Sequence, residues 1–200
     1  MRHIIVCPMD DTIDIAAFDT HSDKRIYGGL SFQKYTPSEP PLYPFVPAYF
    51  QVYNQQLGPL RTLLRKMSPA LRPRNYLLVL HDDATDLEAH ALSELLIACG
   101  AKDTLMEYRA FLLSSEDAYV AVTGSKRAVT VTLVLGDKED TERIFIPIHE
   151  ATPDAVREAV HDLEPDGKLP VYTFGLKPEL DGVGERVNAN EITRNFVKIL

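Results

Sequence analysis

Hydrophobic residues in the first half of the chain follow strand-like and helix-like spacings in turn. The apolar run at 2–8 is typical of a buried strand, and residues 13–18 have the pattern of its hairpin partner. We expect a third strand over 25–33 and, after a proline-rich stretch, a helix over 47–67, where apolar residues recur every three or four positions. These patterns predict a three-stranded meander followed by a long helix.

The remainder of the first half predicts a strand, a helix and a further strand. Residues 75–80 are a continuous apolar run of strand length. Thr85, followed three residues later by Glu88, forms the sequence of a capping box, and Gly100 lies where a helix commonly ends. With a short strand at 104–108, the predicted order of the first half is βββαβαβ.

The second half repeats this order. Strands are predicted at 118–123, 127–135 and 142–148, and Thr152 with Pro153 marks the start of a helix that ends before 165–167. A strand at 169–174 and helical spacing over 178–187 follow, while 196–200 is either a strand or the end of a helix beginning near Asn190. We therefore predict two tandem α/β lobes, residues 1–112 and 117–200, each with a mixed sheet.

Charge and composition narrow the classes of function. The 200 residues carry 21 Lys and Arg against 29 Asp and Glu, which gives a net charge of −8. Because no basic stripe is available to neutralise phosphates, we do not expect a nucleic-acid partner. The sequence predicts neither a membrane span nor a signal peptide, so we expect a cytoplasmic protein. Cys7 and Cys99 are expected to be small buried thiols.

The best cluster of metal-capable side chains follows the central strand of the first half. His81, Asp82 and Asp83 lie at its carboxyl end, where open α/β sheets place ligands, and His90 lies in the next helix. The competing interpretation is a polar strand exit with acids that complement the helix dipole. We favour that interpretation and expect no metal.

The two predicted hairpins hold the other charged candidates. Asp10 and Asp11 are either an acidic pair or ordinary turn residues, and the turn interpretation is favoured because Asp is common in turns. Lys126 and Arg127 at the second hairpin could attract a phosphate, yet such cations are more often solvated. No nucleophile motif or phosphate loop of the P-loop type is present, so we expect no catalytic residue.

Three segments carry a family resemblance. A strand, a helix and the segment after it in the bacterial rod-shape MreB family correspond to three stretches of this sequence: NYLLVLHDDA, TDLEAHALSELLIACGA and KDTLMEYRAFLLSS. The residues that match outright are Thr85, Glu88, Ala91, Gly100, Ala101 and Lys102. Together with the duplicated order, this resembles the actin-like ATPase superfamily. The resemblance implies two ribonuclease-H-like halves with ATP bound between them.

The phosphate and adenosine motifs of that superfamily are degraded in this sequence. A first loop of the type DLGTANT falls on 7–13, with Cys7 and Met9 in place of its Asp and Gly; an alternative alignment over 9–12 restores an Asp but no Gly. A second of the type VVDIGGGTTEVAV falls on 119–131, where Ala121 replaces the Asp and only Gly124 remains. The adenosine motif of the type LTGGGALLPGLDERL falls on 172–187, where its Gly-rich turn is reduced to Gly175 between Phe174 and Leu176. The resemblance thus implies an eroded site with no cofactor, whose remnants are Asp10, Asp11, Gly124, Lys126 and Gly175.

These observations favour a non-catalytic scaffold built on a minimal actin-like core without outer subdomains. We expect its partner to be a second copy of the chain or an active actin-like protein. A homodimer would form through the proline-rich loop at 35–47 or through the strand at 142–148. Filaments of the family type are not expected. One alternative is a metal-dependent phosphoryl-transfer enzyme or hydrolase that uses Asp10, Asp11, His81 and Asp82. The other is a sensor that binds a small ligand in the cleft between the lobes.

Overall fold

A computed structural model describes residues 2–9, 12–19, 29–36, 49–67, 74–136 and 141–199. The chain forms two compact units. The first contains the described residues up to Leu80 together with Ala84–Glu107, and the second contains His81–Asp83 and the residues from Tyr108 onward. The short segment after the fourth strand therefore belongs to the second unit. The predicted lobes, residues 1–112 and 117–200, are the two halves of the sequence that repeat one element order. They are defined differently from the two compact units, and their bounds stay a prediction.

The first unit is built on a five-stranded mixed sheet. Its elements are β1 (Arg2–Pro8), β2 (Ile13–Asp19), β3 (Gln33–Tyr35), α1 (Tyr49–Met67), β4 (Arg74–Leu80), α2 (Asp86–Ala98) and β5 (Ala101–Tyr108). The strand order is β3-β2-β1-β4-β5, with β1 antiparallel to β2 and parallel to β4. Strands β1 and β4, which pair with each other inside the sheet, are continuous apolar runs because both of their faces are buried.

Helix α2 shows how local sequence sets the ends of an element. The Glu88 amide donates to the Thr85 hydroxyl at 3.3 Å, and the Thr85 amide donates to the Glu88 carboxylate at 2.9 Å, which is the predicted capping box. Gly100, with a φ of 107°, follows the helix in the left-handed conformation that glycine adopts most readily. The loop of 81–85 thus leads from β4 into a helix with a fixed start.

The second unit repeats the architecture. Its elements are a 3₁₀ helix (Arg109–Leu112), β6 (Tyr119–Gly124), β7 (Ala128–Val134), β8 (Glu142–Pro147), α3 (Pro153–Leu163), β9 (Val171–Phe174), a second 3₁₀ helix (Pro178–Leu180), β10 (Glu185–Arg186) and α4 (Ala189–Lys198). The sheet order is β10-β9-β6-β7-β8, with β6 antiparallel to β7 and parallel to β9. Valines of β6 and β7 pack with Val156 of α3 in its core.

The two sheets have the same strand order. Read from its other end, the second sheet is β8-β7-β6-β9-β10, which matches β3-β2-β1-β4-β5 position by position. The antiparallel and parallel pairings described for the inner strands also coincide. The predicted duplication is therefore confirmed at the level of topology.

The prediction of a helix over 178–187 is wrong. The segment forms the short 3₁₀ helix and then β10, which pairs in parallel with β9. Gly182 has a φ of 91°, which interrupts a helix, and a Cβ on Gly184 would lie 2.5 Å from the Val171 carbonyl oxygen. The glycines thus allow a close approach to β9 that the helical spacing did not indicate. For 196–200 the helical alternative is correct, because α4 continues to Lys198.

Other predicted boundaries shift by a few residues or lie outside the described part. Of the expected third strand, 25–28 lie outside the described residues, and the strand begins only at Gln33 and pairs with β2. Strand β5 begins at Ala101, three residues before its prediction. Most of the loop at 35–47 also lies outside the described residues.

Candidate functional site

The loop of 81–83 carries buried polar side chains within the second unit. His81 and Asp82 are only 2% and 3% exposed. The Asp82 carboxylate accepts the Ala110 amide hydrogen at 3.0 Å and the Thr123 hydroxyl hydrogen at 2.6 Å. It therefore connects the first 3₁₀ helix of the unit to the end of β6.

Arg109 occupies the centre of this cluster, at 1% exposure. Its Nη1 lies 2.9 Å from His81 Nδ1 and donates to the Gly124 carbonyl oxygen at 3.3 Å. Since a guanidinium group only donates, the imidazole nitrogen accepts. The guanidinium carbon lies 5.3 Å from the centre of the Phe174 ring, within range of a cation–π contact. The cation is thus held by β6, by the turn after β9 and by the 81–83 loop.

The electrostatics of Asp82 reflect competing influences. Complete burial raises the pKa of this carboxyl above its usual value. The hydrogen bonds from Thr123 and Ala110, and then the charges of Arg109 and Arg143, oppose that rise without cancelling it. A buried carboxyl with satisfied oxygens and a neighbouring cation is the arrangement expected of a structural network.

Asp83 ties the same loop to the β6–β7 hairpin. Its Oδ2 accepts hydrogen bonds from the Ser125 hydroxyl at 2.6 Å and from Arg127 Nε at 3.1 Å. Arg127 Nη2 also donates to the Asp83 carbonyl oxygen at 2.6 Å. The expected solvated Arg127 is therefore partly buried in an ion pair, whereas Lys126 is exposed.

The two remaining motif glycines of the second unit pack against each other. A Cβ on Gly124 would lie 2.5 Å from the Gly175 carbonyl oxygen, and one on Gly175 would lie 3.1 Å from the Gly124 carbonyl oxygen. Gly175 also has a φ of 70°. Both positions are restricted to glycine by the meeting of two strand ends.

The structure does not bring the predicted metal candidates together. His90 lies on α2 with its side chain 77% exposed, and its Nε2 is 4.0 Å from Glu94. His81, Asp82 and Asp83 have the hydrogen bonds described above. Across the described ranges, no group of three or more His, Cys, Asp or Glu side chains is placed to hold a metal ion. Asp10 and Asp11 lie outside the described residues.

Sequence reasoning missed two residues of the cluster, Arg109 and Thr123. Both bind partners distant in sequence, since Arg109 is 28 residues from His81 and Thr123 is 41 residues from Asp82. The available signal was Arg109, which stands at the start of the otherwise apolar run at 109–113. A charged side chain in such a run indicates either an exposed position or a buried partner.

The sequence matches no protein-family model and no curated protein. Among solved structures, the chain is similar to the ethanolamine utilization protein EutJ of Carboxydothermus hydrogenoformans, with a TM-score of 0.55 and 10% identity over 98% of this chain and 82% of that chain. It is also similar to the AMPPNP-bound AlfA filament, with a TM-score of 0.55 and 11% identity over 98% of both chains.

A second filament structure, of AlfA from B. subtilis plasmid pLS32, gives a TM-score of 0.53 and 10% identity over 94% of this chain and 92% of that chain. These neighbours have the actin-like ATPase fold. The likeness therefore confirms the predicted fold of two tandem ribonuclease-H-like halves. In the part of the chain that the structure describes, no helix is both long and apolar enough to cross a membrane.

Proposed function

We propose that this chain, which has the actin-like fold, is a non-catalytic pseudo-ATPase that works as an interaction or scaffold protein. The observation that carries this proposal lies in the second unit. There the positions aligned with the phosphate and adenosine loops are engaged in contacts within the unit. Gly124 and Gly175 contact each other, and Phe174 lies against the buried Arg109.

The amides of the β6–β7 turn support this proposal. A phosphate cradle needs backbone N–H groups that point outward at the anion. Here the Ser125 amide donates to the Ala128 carbonyl oxygen at 2.9 Å. The amides of Arg127 and Ala128 donate to the Ser125 hydroxyl oxygen at 3.0 and 3.2 Å. These three amides of the turn are therefore satisfied within the turn itself.

The metal side of the aligned motif also lacks a ligand. Ala121, in the place of the Asp, is completely buried in β6 and pairs with Thr132 and Tyr172 on the neighbouring strands. A methyl side chain offers no oxygen to a magnesium ion or to its bound water. This position cannot supply the carboxylate that a family ATPase would need.

The alternative is a metal-dependent phosphoryl-transfer enzyme or hydrolase that uses Asp10, Asp11, His81 and Asp82. Two of these side chains, His81 and Asp82, are almost completely buried and hydrogen-bonded. A substrate would have to displace Arg109 and Thr123 to reach them. The contacts of the cluster therefore favour the scaffold.

We propose that this scaffold works in the cytoplasm. Its partner is a second copy of the chain or an active actin-like protein. The AlfA structures are filaments, and AlfA aligns with this chain over nearly its whole length. A core of this extent is therefore compatible with polymerisation in another protein of the fold. The expected lack of outer subdomains is therefore not a sufficient reason to exclude filaments of this chain.

Titration calorimetry with Mg-ATP, accompanied by thermal unfolding and phosphate release, tests the proposal. We expect no saturable heat, no phosphate release above background and no rise in Tm. A functional site at an Mg-ATP concentration of 100 times Kd would add about 2.7 kcal/mol of stability. That addition would raise Tm by roughly 5–10 °C for a chain of this size. A Kd in the low micromolar range or tighter would contradict the pseudo-ATPase.

The Asp82→Asn variant separates the enzyme alternative from the proposal. If Asp82 took part in phosphoryl transfer, the wild-type chain would release phosphate and the variant would not. We expect no difference between the two chains, because the carboxyl is hydrogen-bonded in the interior. If the wild-type chain releases phosphate and a folded Asp82→Asn variant does not, the scaffold proposal is wrong and the enzyme alternative is supported.

A further inference from the structure

A pocket of about 280 Å³ lies within the second unit, away from the cluster around Asp82. It is bordered by α4, by β10 with the adjacent Tyr172 of β9, and by the segment at 113–115 that precedes β6. None of its lining residues belongs to the 81–83 loop or to the β6–β7 hairpin. Four of its lining residues, Tyr172, Glu185, Arg186 and Val187, lie in the stretch at 172–187 that aligns with the adenosine motif, whereas the remnant glycines Gly124 and Gly175 do not line it.

Three cations line this pocket. Arg194 and Lys198 are four residues apart on α4, so their side chains lie on one face of the helix, and Arg186 projects from β10. Arg194 Nε is buried and has no hydrogen-bond partner among the residues that the structure describes.

The acids of the pocket do not neutralise these cations. Glu191 Oε2 accepts the Asn188 amide hydrogen at 2.8 Å as part of the α4 capping box. Glu185 is exposed at the rim. Arg186 has only a long contact of 4.0 Å with Asp181, and Lys198 Nζ lies 3.5 Å from the Asn195 side-chain oxygen. Both acids keep their charge in these contacts, so Glu185 and Glu191 against the three cations leave the lining with a net charge of +1.

Neutral donors stand beside the cations. Ser114 and Ser115 line the pocket with hydroxyl groups. Tyr172 also lines the pocket, but its phenol hydrogen is donated to the Glu116 carboxylate at 2.9 Å and is not offered to a ligand. Hydroxyl groups beside a guanidinium are the usual partners of carboxylate and phosphate oxygens.

We propose that this pocket binds a small metabolite through an oxyanion, either a carboxylate or a phosphate group, with Arg194 as its anchor. The planar fork of arginine binds two oxygens of such a group at once. Lys198 and Arg186 add charge, and Ser114 and Ser115 donate to further oxygens. The volume of about 280 Å³ lies just below the range of about 300–1,000 Å³ for ligand pockets, which fits only a small metabolite. This site goes beyond the proposed scaffold role and is independent of it.

Nuclear magnetic resonance titrations of the whole chain test the site with two probes, inorganic phosphate and acetate, at constant ionic strength. We expect saturable shifts of the amide signals of Ser114, Ser115, Arg194 and Lys198 with at least one probe. Saturation by phosphate alone identifies a phosphorylated ligand, and saturation by acetate alone identifies a carboxylate. If neither probe gives saturable shifts at these amides, the proposal is wrong.

Two charge-matched variants complete the test. Arg194→Gln should weaken binding of the effective probe at least about tenfold, since charge-assisted hydrogen bonds are lost. Arg157→Gln removes the same charge from exposed α3, where Arg157 pairs with Asp154, and should leave binding unchanged. Lys198→Gln serves if Arg194→Gln does not fold. Equal weakening by pocket and control variants would reveal a general charge effect and overturn the site.

Discussion

Gly124 and Gly175 meet through their backbones, with the Cβ position of Gly124 only 2.5 Å from the Gly175 carbonyl oxygen. The contact closes the ends of two adjacent parallel strands, since Thr123 and Phe174 are the last paired residues of β6 and β9. Both glycines align with loops that bind nucleotide in the actin-like superfamily. In this chain their lack of a side chain is required by packing, so their presence is no evidence for phosphate binding.

Gly124→Ala should therefore destabilise the protein. The added methyl group would press against backbone atoms, which cannot rotate away, and overpacking of this kind costs about 1–3 kcal/mol. Urea unfolding should show a lower midpoint with an unchanged slope. The control is Gly58→Ala in α1, where no atom lies within 4 Å of the new Cβ. It should change the free energy of unfolding little, because the usual gain of about 0.5–1 kcal/mol for alanine in a helix is opposed by the steric restriction on a residue before Pro59. An unchanged midpoint for Gly124→Ala would contradict the packing role.

Removal of the Asp82 carboxyl should be among the more costly single changes in the second unit. Asp82→Ala leaves the Ala110 amide and the Thr123 hydroxyl buried without their acceptor, beside the buried Arg109. The expected loss in the free energy of unfolding is about 3 kcal/mol or more. Asp82→Asn keeps the shape and one acceptor oxygen and should lose less. Equal stability of wild type and Asp82→Ala, measured by urea unfolding, would show that the network is not structural.

The pH dependence of stability should report the raised pKa of Asp82. Because burial raises the folded pKa above the ordinary value of 3.8, the folded state holds this proton more tightly than the unfolded chain. The resulting stability is fully present below the ordinary pKa and is lost as pH rises through the folded pKa. Relative to Asp82→Asn, wild type should therefore lose stability as the pH rises above about 4, the ordinary pKa of the carboxyl. A relative gain over that range would mean that Arg109 lowers the pKa instead.

Cys99 should be almost unreactive in the folded protein. Burial raises the pKa of its thiol to about 11, although the charge of Arg61 opposes the shift. At pH 8 only about one thousandth of this thiol is thiolate, against about a quarter of an ordinary cysteine. In a Cys7→Ser background, alkylation by iodoacetamide should be about 200-fold slower in the native state than in denaturant. A native rate within about tenfold of the denatured rate would place the thiol at the surface.

The parts of the fold that were predictable are those encoded by neighbours in sequence. Thr85 and Glu88 are three residues apart, and their capping box fixed the start of α2 correctly. The central strands were recognisable because burial on both faces requires continuous apolar runs, as at Leu77 and Leu78. Periodicity and capping act over a few residues and can be read directly from the chain.

The parts that were missed depend on contacts between distant segments. Strand β10 exists because Gly184 allows close approach to Val171, and the local spacing of its apolar residues suggested a helix instead. The roles of His81 and Asp82 as partners of Arg109 and Thr123 likewise arise only when the loop after β4 enters the second unit. Sequence identified the polar loop correctly but not the side chains that satisfy it.

The surface for self-association should be the edge of the second sheet. Strand β8 lies at the end of the sheet and, among the described strands, pairs with β7 alone. Its outer backbone groups pair with no other strand in the described part of the chain, and Phe145 of β8 is 52% exposed. An apolar edge strand of this kind favours pairing with a second copy of the chain. We expect a dimer through β8, which is one of the two interfaces that the sequence predicted, the other being the proline-rich loop at 35–47.

Light scattering of the purified protein, with a matched pair of variants, tests this interface. Phe145→Lys places a charge on the proposed edge and should yield a monomer, because a desolvated lysine opposes strand pairing. Met106→Lys introduces the same charge on β5, the edge of the first sheet, at a residue that is 45% exposed. It should leave the dimer intact. If the wild-type protein is monomeric at high micromolar concentration, the prediction of a dimer is wrong. Dissociation by Met106→Lys alone would assign the interface to the first sheet instead.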